Sequence, residues 1–308
     1  MSPCYRHALL DPRSLPAAAC TNTVLLGPST LGVEVTEPLL ATRCGLGNID
    51  PQHRPGGGTT AAIEAALTWP LPPAGTQLVT IRPDADAYGA MAVLGLRAAG
   101  TYIDPAMRTR IGIIARADRF DHSVWPGPRP MPRDAKEMDE VGLGEQGCGA
   151  LATGLSDSVL SPSDGVAAAR NWIAVGAVPD TWRDRAQGAS AALFAAWTLG
   201  RVKLSVPDPG GIALVEGFAP GALRFGYRHA PVVVAVDDTL RGDPPAPWRK
   251  ISVAQWQAGH VDLVSAAALL NVAEPGWGGS PTIVGSPQGR SCRSPLARVM
   301  AVLRVCGA

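Results

Sequence analysis

The chain has 308 residues, 46% of them apolar and 17% charged, with a formal net charge of +1. That length carries two domains of ordinary size or one large one, and the apolar share argues against gross disorder. There is no Lys/Arg block or aromatic ladder, which argues against an obligate nucleic-acid partner, and no apolar run reaches the ~18 residues of a membrane span.

Residues 1–22 show no periodicity and read as a surface arm. Residues 23–26 and 32–36 (GVEVT) read as two short strands joined by a Gly-Pro turn, a hairpin by their alternation. One helical turn follows over 38–43. The stretch CGLGNIDPQHRPGGGTT, 44–60, is a loop by composition; Asp50 is biased to extended backbone by Pro51, and His53 follows it. Thr59 or Thr60 caps a helix over 61–67, which Pro70 stops.

An apolar run at 77–81 then reads as a buried strand, and TIRPDADAYGAM, 80–91, follows at its end. Asp84 and Asp86 fall in the turn. In extended backbone both carboxylates point to one side, where their repulsion favours a bound cation. Gly89 lets the helix over 90–99 pack closely. Asp104 and Pro105, as cap and first helical residue, open a helix to about residue 118. WPGPRPMPR, 125–133, reads as a stiff exposed connection.

Residues 134–200 read as mostly helical, with Ser161-Pro162 starting one helix and Pro179 a longer one that buries Trp182, Ala186, Ala189 and Phe194. After 200 the pattern changes to short strands at 202–206, 212–215, 231–236 and 250–253. A helix over 261–272 is capped by Asp262. The glycine-rich WGGSPTIVGSPQGR, 277–290, reads as turn, short strand and turn, and Ser294-Pro295 open a closing helix to 305. The expected fold is α/β in two lobes, with a partly parallel sheet in the N-terminal lobe and a smaller mixed sheet in the C-terminal lobe. The domains expected are 1–200, carrying a metal site and a helical extension, and 201–308, binding substrate; the proline-rich stretch is a rival boundary. Cys4, Cys20, Cys44, Cys148, Cys292 and Cys306 show no CxxC spacing and read as free thiols. The first twenty residues lack a basic start followed by an apolar stretch, so the expected location is cytoplasmic.

Asp50, His53, Asp84 and Asp86 flank one predicted α/β unit, and Asp118, Asp121 and His122 end the next helix. Carboxylate oxygens and imidazole nitrogens suit Mn²⁺, Fe²⁺, Zn²⁺ or Mg²⁺. Such a cation lowers the pKa of water and orients it for attack. α/β sheets also place ligands just beyond strand ends. Each residue has a structural alternative: Asp50 as a turn former, His53 as a solvated loop residue, the aspartate pair as helix caps. In the glycine-rich turn, backbone N–H groups with Ser286, Gln288, Arg290 and Ser291 suit an anion, or simply a tight hairpin. Arg228, His229 and His260 are further anion or acid candidates, and Cys44 with His53 is a thiol–imidazole pair.

PDADAYGAM, 83–91, resembles the PDxDAxGS motif of the DHH phosphoesterase superfamily. The resemblance implies Asp84 and Asp86 as ligands of manganese or a similar metal, with Asp118 standing for a further ligand carboxylate. It implies two lobes with the site in a cleft and hydrolysis of phosphodiesters, pyrophosphate or oligonucleotides. GWGGSPTIVGSPQG, 276–289, is similar in character to the family's substrate-binding glycine motif. The family has histidine four residues before the first aspartate, where Thr80 stands here, and its Asp-His-His triplet is matched best by NIDPQH, 48–53, upstream of the pair. The resulting expectation is a metal-dependent, phosphoesterase-like hydrolase of a small or nucleotide-like phosphoester. Asp50, His53, Asp84, Asp86 and Asp118 would hold manganese, with Fe²⁺, Zn²⁺ and Mg²⁺ as alternatives. Asp84, Asp86 and His53 would be catalytic, and Arg228, His229, Ser286, Gln288 and Arg290 would face a small-molecule substrate. Hydrolysis of a C–N bond and non-enzymatic binding of an anion or partner are the alternatives; no membrane is involved, and a homo-oligomer is compatible.

Overall fold

The computed structural model describes residues 5–10, 26–36, 38–52, 60–121, 147–156, 160–208, 211–217, 222–241, 247–256, 258–287 and 290–307. The chain divides into two units, one of Met1–Arg119 with Asp139–Gln187, the other of Phe120–Met138 with Gly188–Ala308. The proline-rich stretch at 125–133 lies outside the described residues.

The first unit holds four short strands, β1 (Arg6–Leu9), β2 (Thr30–Val33), β3 (Asn48–Ile49) and β4 (Gln77–Thr80), in the order β1-β4-β2-β3. Every pairing is parallel. β2 is buried along its whole length, as strands covered on both faces are. Two expectations are corrected here. β2 forms no hairpin, since both of its neighbours, β4 and β3, run parallel to it; residues 23–25 are outside the described set. The alternation of GVEVT that pointed to a hairpin comes from a buried glutamate. Nor are residues 1–22 simply a surface arm: Arg6–Leu9 pairs residue for residue with Gln77–Thr80, and Tyr5 and Leu10 are buried. Four residues are too few to show a period, and their partner lies far along the chain.

Around this sheet lie α1 (Pro38–Ala41), α2 (Ala62–Ala65), α3 (Ala85–Ala98), α4 (Pro105–Asp121), α5 (Cys148–Leu155) and α6 (Pro162–Val175). α3 is the central one, buried without interruption from Ala85 to Leu94. Its small residues permit this. A Cβ on Gly89 would come within 2.6 Å of the Ile63 Cδ1 of α2. On the other side the Tyr88 ring lies against Gly165 of α6, where a Cβ would collide with it. The expected starts of α4 and α6 are present: Asp104 Oδ1 accepts from the Met107 N–H at 2.7 Å, and Ser161 Oγ accepts from the Asp164 N–H at 3.2 Å.

α7 (Asp180–Thr198) crosses the division between the units. The second unit has fewer residues but the wider sheet. Its strands β5 (Lys203–Asp208), β6 (Ile212–Glu216), β7 (Val232–Arg241), β8 (Pro247–Gln255), β9 (Gly278–Gly279) and β10 (Ile283–Gly285) run in the order β5-β6-β7-β8-β10-β9. Only β6 and β7 pair in parallel, so the sheet is mixed. Val232, Val234 and Val236 meet α8 (Leu263–Ala273) and α9 (Leu296–Cys306) in one apolar core. Asp262 caps α8 as expected, its Oδ1 accepting from the Ser265 N–H at 3.0 Å. Among the described residues no helix is long and apolar enough to cross a membrane. Described cysteines Cys44, Cys148, Cys292 and Cys306 are free thiols.

Candidate metal centre

Parallel strands present their carboxyl ends at one edge, and that edge of the first sheet is acidic. Glu34 follows β2, Asp50 follows β3, and Asp84 and Asp86 follow β4. Glu34 has left-handed backbone, φ 52°, a conformation that costs a non-glycine residue about 1–3 kcal/mol. Its neighbours impose it. The Glu34 N–H donates to the Ile49 carbonyl at 2.9 Å. The Asn48 side chain then serves as a strand partner for Val35, accepting from its N–H at 3.2 Å and donating to its carbonyl at 3.0 Å. The bend carries the Glu34 side chain out of the strand pattern while keeping it 5% exposed.

Asp84 and Asp86 do not share an extended turn, because α3 begins earlier than residue 90. Asp84 is the cap, in extended backbone, and its Oδ1 accepts from the Ala87 N–H at 2.8 Å. Asp86 is already helical, 2% exposed, and reaches across to α2. Its two oxygens accept from the Ala62 N–H at 2.7 Å and the Ile63 N–H at 2.9 Å. The cap position of α2 is Ala61 rather than Thr60, and Asp86 takes the free N–H groups; Thr59 is outside the described residues. The same helix is held at its other end by Arg97, which donates to the carbonyls of Ala66 and Trp69, each at 2.7 Å. α2 is thus held at both ends by side chains of α3, with charges of the sign its dipole favours. Thr80, in the family's histidine position, uses its hydroxyl on the Arg82 backbone.

Asp86, Glu34 and Asp118, from the last turns of α4, present carboxylate oxygens that all lie within 4.8 Å of one another. Burial, then the charges of Asp86, Asp84, Asp118 and Asp50, push the Glu34 carboxyl well above its ordinary range. Burial, then Asp118 and Asp84, do the same to Asp86, against the two backbone N–H donors that favour its charge. Like charges about 4 Å apart repel by about 4 kcal/mol in a protein-like dielectric, an arrangement that favours a proton on Glu34 or Asp86, or a neighbouring cation. Gln52, two residues beyond Asp50 and 6% exposed, completes the rim by donating from Nε2 to Asp118 Oδ2 at 2.7 Å.

The structure therefore joins Asp86 and Asp118, sets Asp84 and Asp50 within electrostatic reach, and adds Glu34, which sequence reasoning missed. The signal was present in GVEVT as a lone carboxylate in an otherwise apolar strand. His53, His122 and Gln288 are outside the described residues. In the second unit, Arg228 and His229 are exposed at the end of the 3₁₀ helix Ala222–Arg228. Ser286 is 1% exposed and its hydroxyl accepts from the Ile251 N–H at 3.0 Å, a sheet-holding bond. Arg290 donates to the Pro275 carbonyl. Cys44 is not activated: burial pushes its thiol up to about 11.

No family model matches the chain, and no curated protein does. Among solved structures, it is similar to the crystal structure of an uncharacterized protein from Helicobacter pylori G27, at 9% identity and a TM-score of 0.19, over 71% of this chain. The chain spans 66% of that protein's length. A likeness so slight supports neither a fold nor a function.

Proposed function

We propose that Glu34, Asp86 and Asp118 hold a divalent cation, manganese being the reading favoured by the PDADAYGAM resemblance, and that the protein is a metal-dependent hydrolase of phosphoesters. The observation that carries the cation is the trio itself: three carboxylates, two of them buried, with oxygens within 4.8 Å of one another at the carboxyl edge of a parallel sheet; phosphoester hydrolysis rests on the PDADAYGAM resemblance. The donor set suits the cation, since each carboxylate oxygen has two lone pairs and those of Asp86 that accept from α2 each retain one. When bound, the cation supplies Lewis acidity toward phosphoryl oxygen and water.

The chain's own residues do the positioning. The N-terminal N–H groups of α2 lock the Asp86 carboxylate in place. The pairing of Val35 with Asn48 locks the backbone next to Glu34. Asp84, committed to its helix cap, and Asp50 add negative field that draws a cation in.

The test is metal analysis of the purified protein, then hydrolysis of bis(p-nitrophenyl) phosphate beside a p-nitroanilide. One equivalent of cation in wild type, its loss in Glu34→Gln, and metal-dependent cleavage of the phosphodiester support the reading. Cleavage of the anilide alone moves the reaction to a C–N bond. A metal-free wild type that remains so in excess Mn²⁺ refutes the proposal and leaves Asp84 and Asp86 as helix caps, the role their hydrogen bonds already perform.

A further inference from the structure

Gln52 carries an inference that rests on the cation reading and goes one residue further. Its side chain is buried, 6% exposed, and one end of the amide is spent on Asp118, Nε2 donating at 2.7 Å. The other end, Oε1, is buried with no hydrogen-bond partner among the described residues. A buried acceptor left unmade is rare and costs about 1–3 kcal/mol. Oε1 and Nε2 belong to one small planar amide, so the unmatched oxygen lies beside the cluster member that Nε2 touches. A cation there satisfies that oxygen.

We propose that Gln52 Oε1 is a fourth ligand, joining Glu34, Asp86 and Asp118 around a hard divalent cation of the Mn²⁺, Mg²⁺ or Ca²⁺ class. Three points agree. Amide oxygens are ordinary ligands of hard cations, and every donor named here is oxygen. A neutral fourth ligand adds coordination without adding a fourth negative charge to a cluster already short of compensation. The Nε2–H bond to Asp118 fixes both ligands with one planar group, as supporting hydrogen bonds around metal sites do.

The experiment uses the full chain, stripped with EDTA and titrated with MnCl₂, comparing wild type with Gln52→Met. Free Mn²⁺ is read by electron paramagnetic resonance, and water on the bound ion is counted by line broadening in ¹⁷O-enriched water at saturating Mn²⁺. The expected result is affinity in Q52M weaker by at least the roughly 10–100-fold that loss of a supporting hydrogen bond costs, with one more bound water than in wild type, because a lost ligand is replaced by solvent. An unchanged water count overturns the proposal even where affinity falls, since a residue that only restrains Asp118 leaves the coordination sphere intact. Unchanged affinity overturns it as well. Wild type that binds no Mn²⁺ refutes the parent reading and this one with it, whereas a binding wild type with an unmoved water count sinks this one alone. If Q52M does not fold by circular dichroism, Gln52→Asn, one methylene short, is expected to show the same gain of water.

Discussion

Replacing Glu34 with glutamine tests the electrostatics of the centre without touching its backbone, since both residues bear the same left-handed strain. Glu34 is 5% exposed, and burial followed by four neighbouring carboxylates holds its carboxyl well above the ordinary 4.5. In the metal-free protein the folded chain therefore keeps a proton that the unfolded chain has released. Stability is complete below the unfolded value and is lost as pH rises, by about 1.4 kcal/mol per pH unit, until the folded group ionises. Between pH 4.5 and pH 7 one such carboxyl forfeits at most about 3 kcal/mol. Glutamine cannot ionise, so in EDTA E34Q should exceed wild type at pH 7, by no more than about 3 kcal/mol, and match it near pH 4.5. Mn²⁺ should reverse the order: at a hundred times its Kd it stabilises wild type by about 2.7 kcal/mol and leaves E34Q almost unmoved. Urea melts at three pH values, with EDTA or Mn²⁺, read both effects. An E34Q that is less stable than wild type in EDTA at pH 7, or that gains as much from Mn²⁺, would refute the reasoning.

Other perturbations separate packing and capping from chemistry. Gly89→Ala sets a methyl 2.6 Å from Ile63 Cδ1 and should cost about 1–3 kcal/mol by overpacking; Ile63→Val, which deletes that atom, should recover part of it in a double-mutant cycle, and an additive pair would show that the clash is relieved elsewhere. Asp84→Ala removes the α3 cap and should cost about 1 kcal/mol in thermal denaturation, while a carboxylate that binds the cation directly would also lower Mn²⁺ affinity steeply. In the second unit, burial acts to raise the Glu274 carboxyl, but bonds from the Arg293 and Ser294 N–H groups, the Ser294 hydroxyl and the Cys292 thiol outweigh it and bring it to about 2. The stability it adds should be present above pH 4.5 and vanish as pH falls through about 2; Glu274→Ala, leaving those donors unmatched, should flatten the acid limb of the melt.

Much of the architecture was legible in local pattern. The caps Asp104, Ser161 and Asp262, the apolar runs of β4 and β7, and the change of period after α7 all act over a few residues. They announce α/β structure followed by a mixed sheet. The strand-to-helix step into PDADAYGAM was likewise visible, and with it the position of an acidic strand end.

What local pattern left open was decided by neighbours distant in the chain. Arg6–Leu9 becomes a strand only because Gln77–Thr80 offers it a parallel partner. Asp86 bonds to α2 while Asp84 caps its own helix, because α3 begins at Ala85 and because α2, twenty-odd residues earlier, presents N–H groups to it. Glu34 joins the centre because Asn48 holds the adjacent residue, and Gln52 because Asp118 takes its amide. By itself the sequence determined which residues favour helix, strand or turn, and that acidic groups follow a buried strand. Only the tertiary structure decided which carboxylates meet. Parallel strands bring their carboxyl ends to one edge whatever their separation in sequence, and the energy of bringing like charges together depends on their distance and burial there, not on their spacing along the chain.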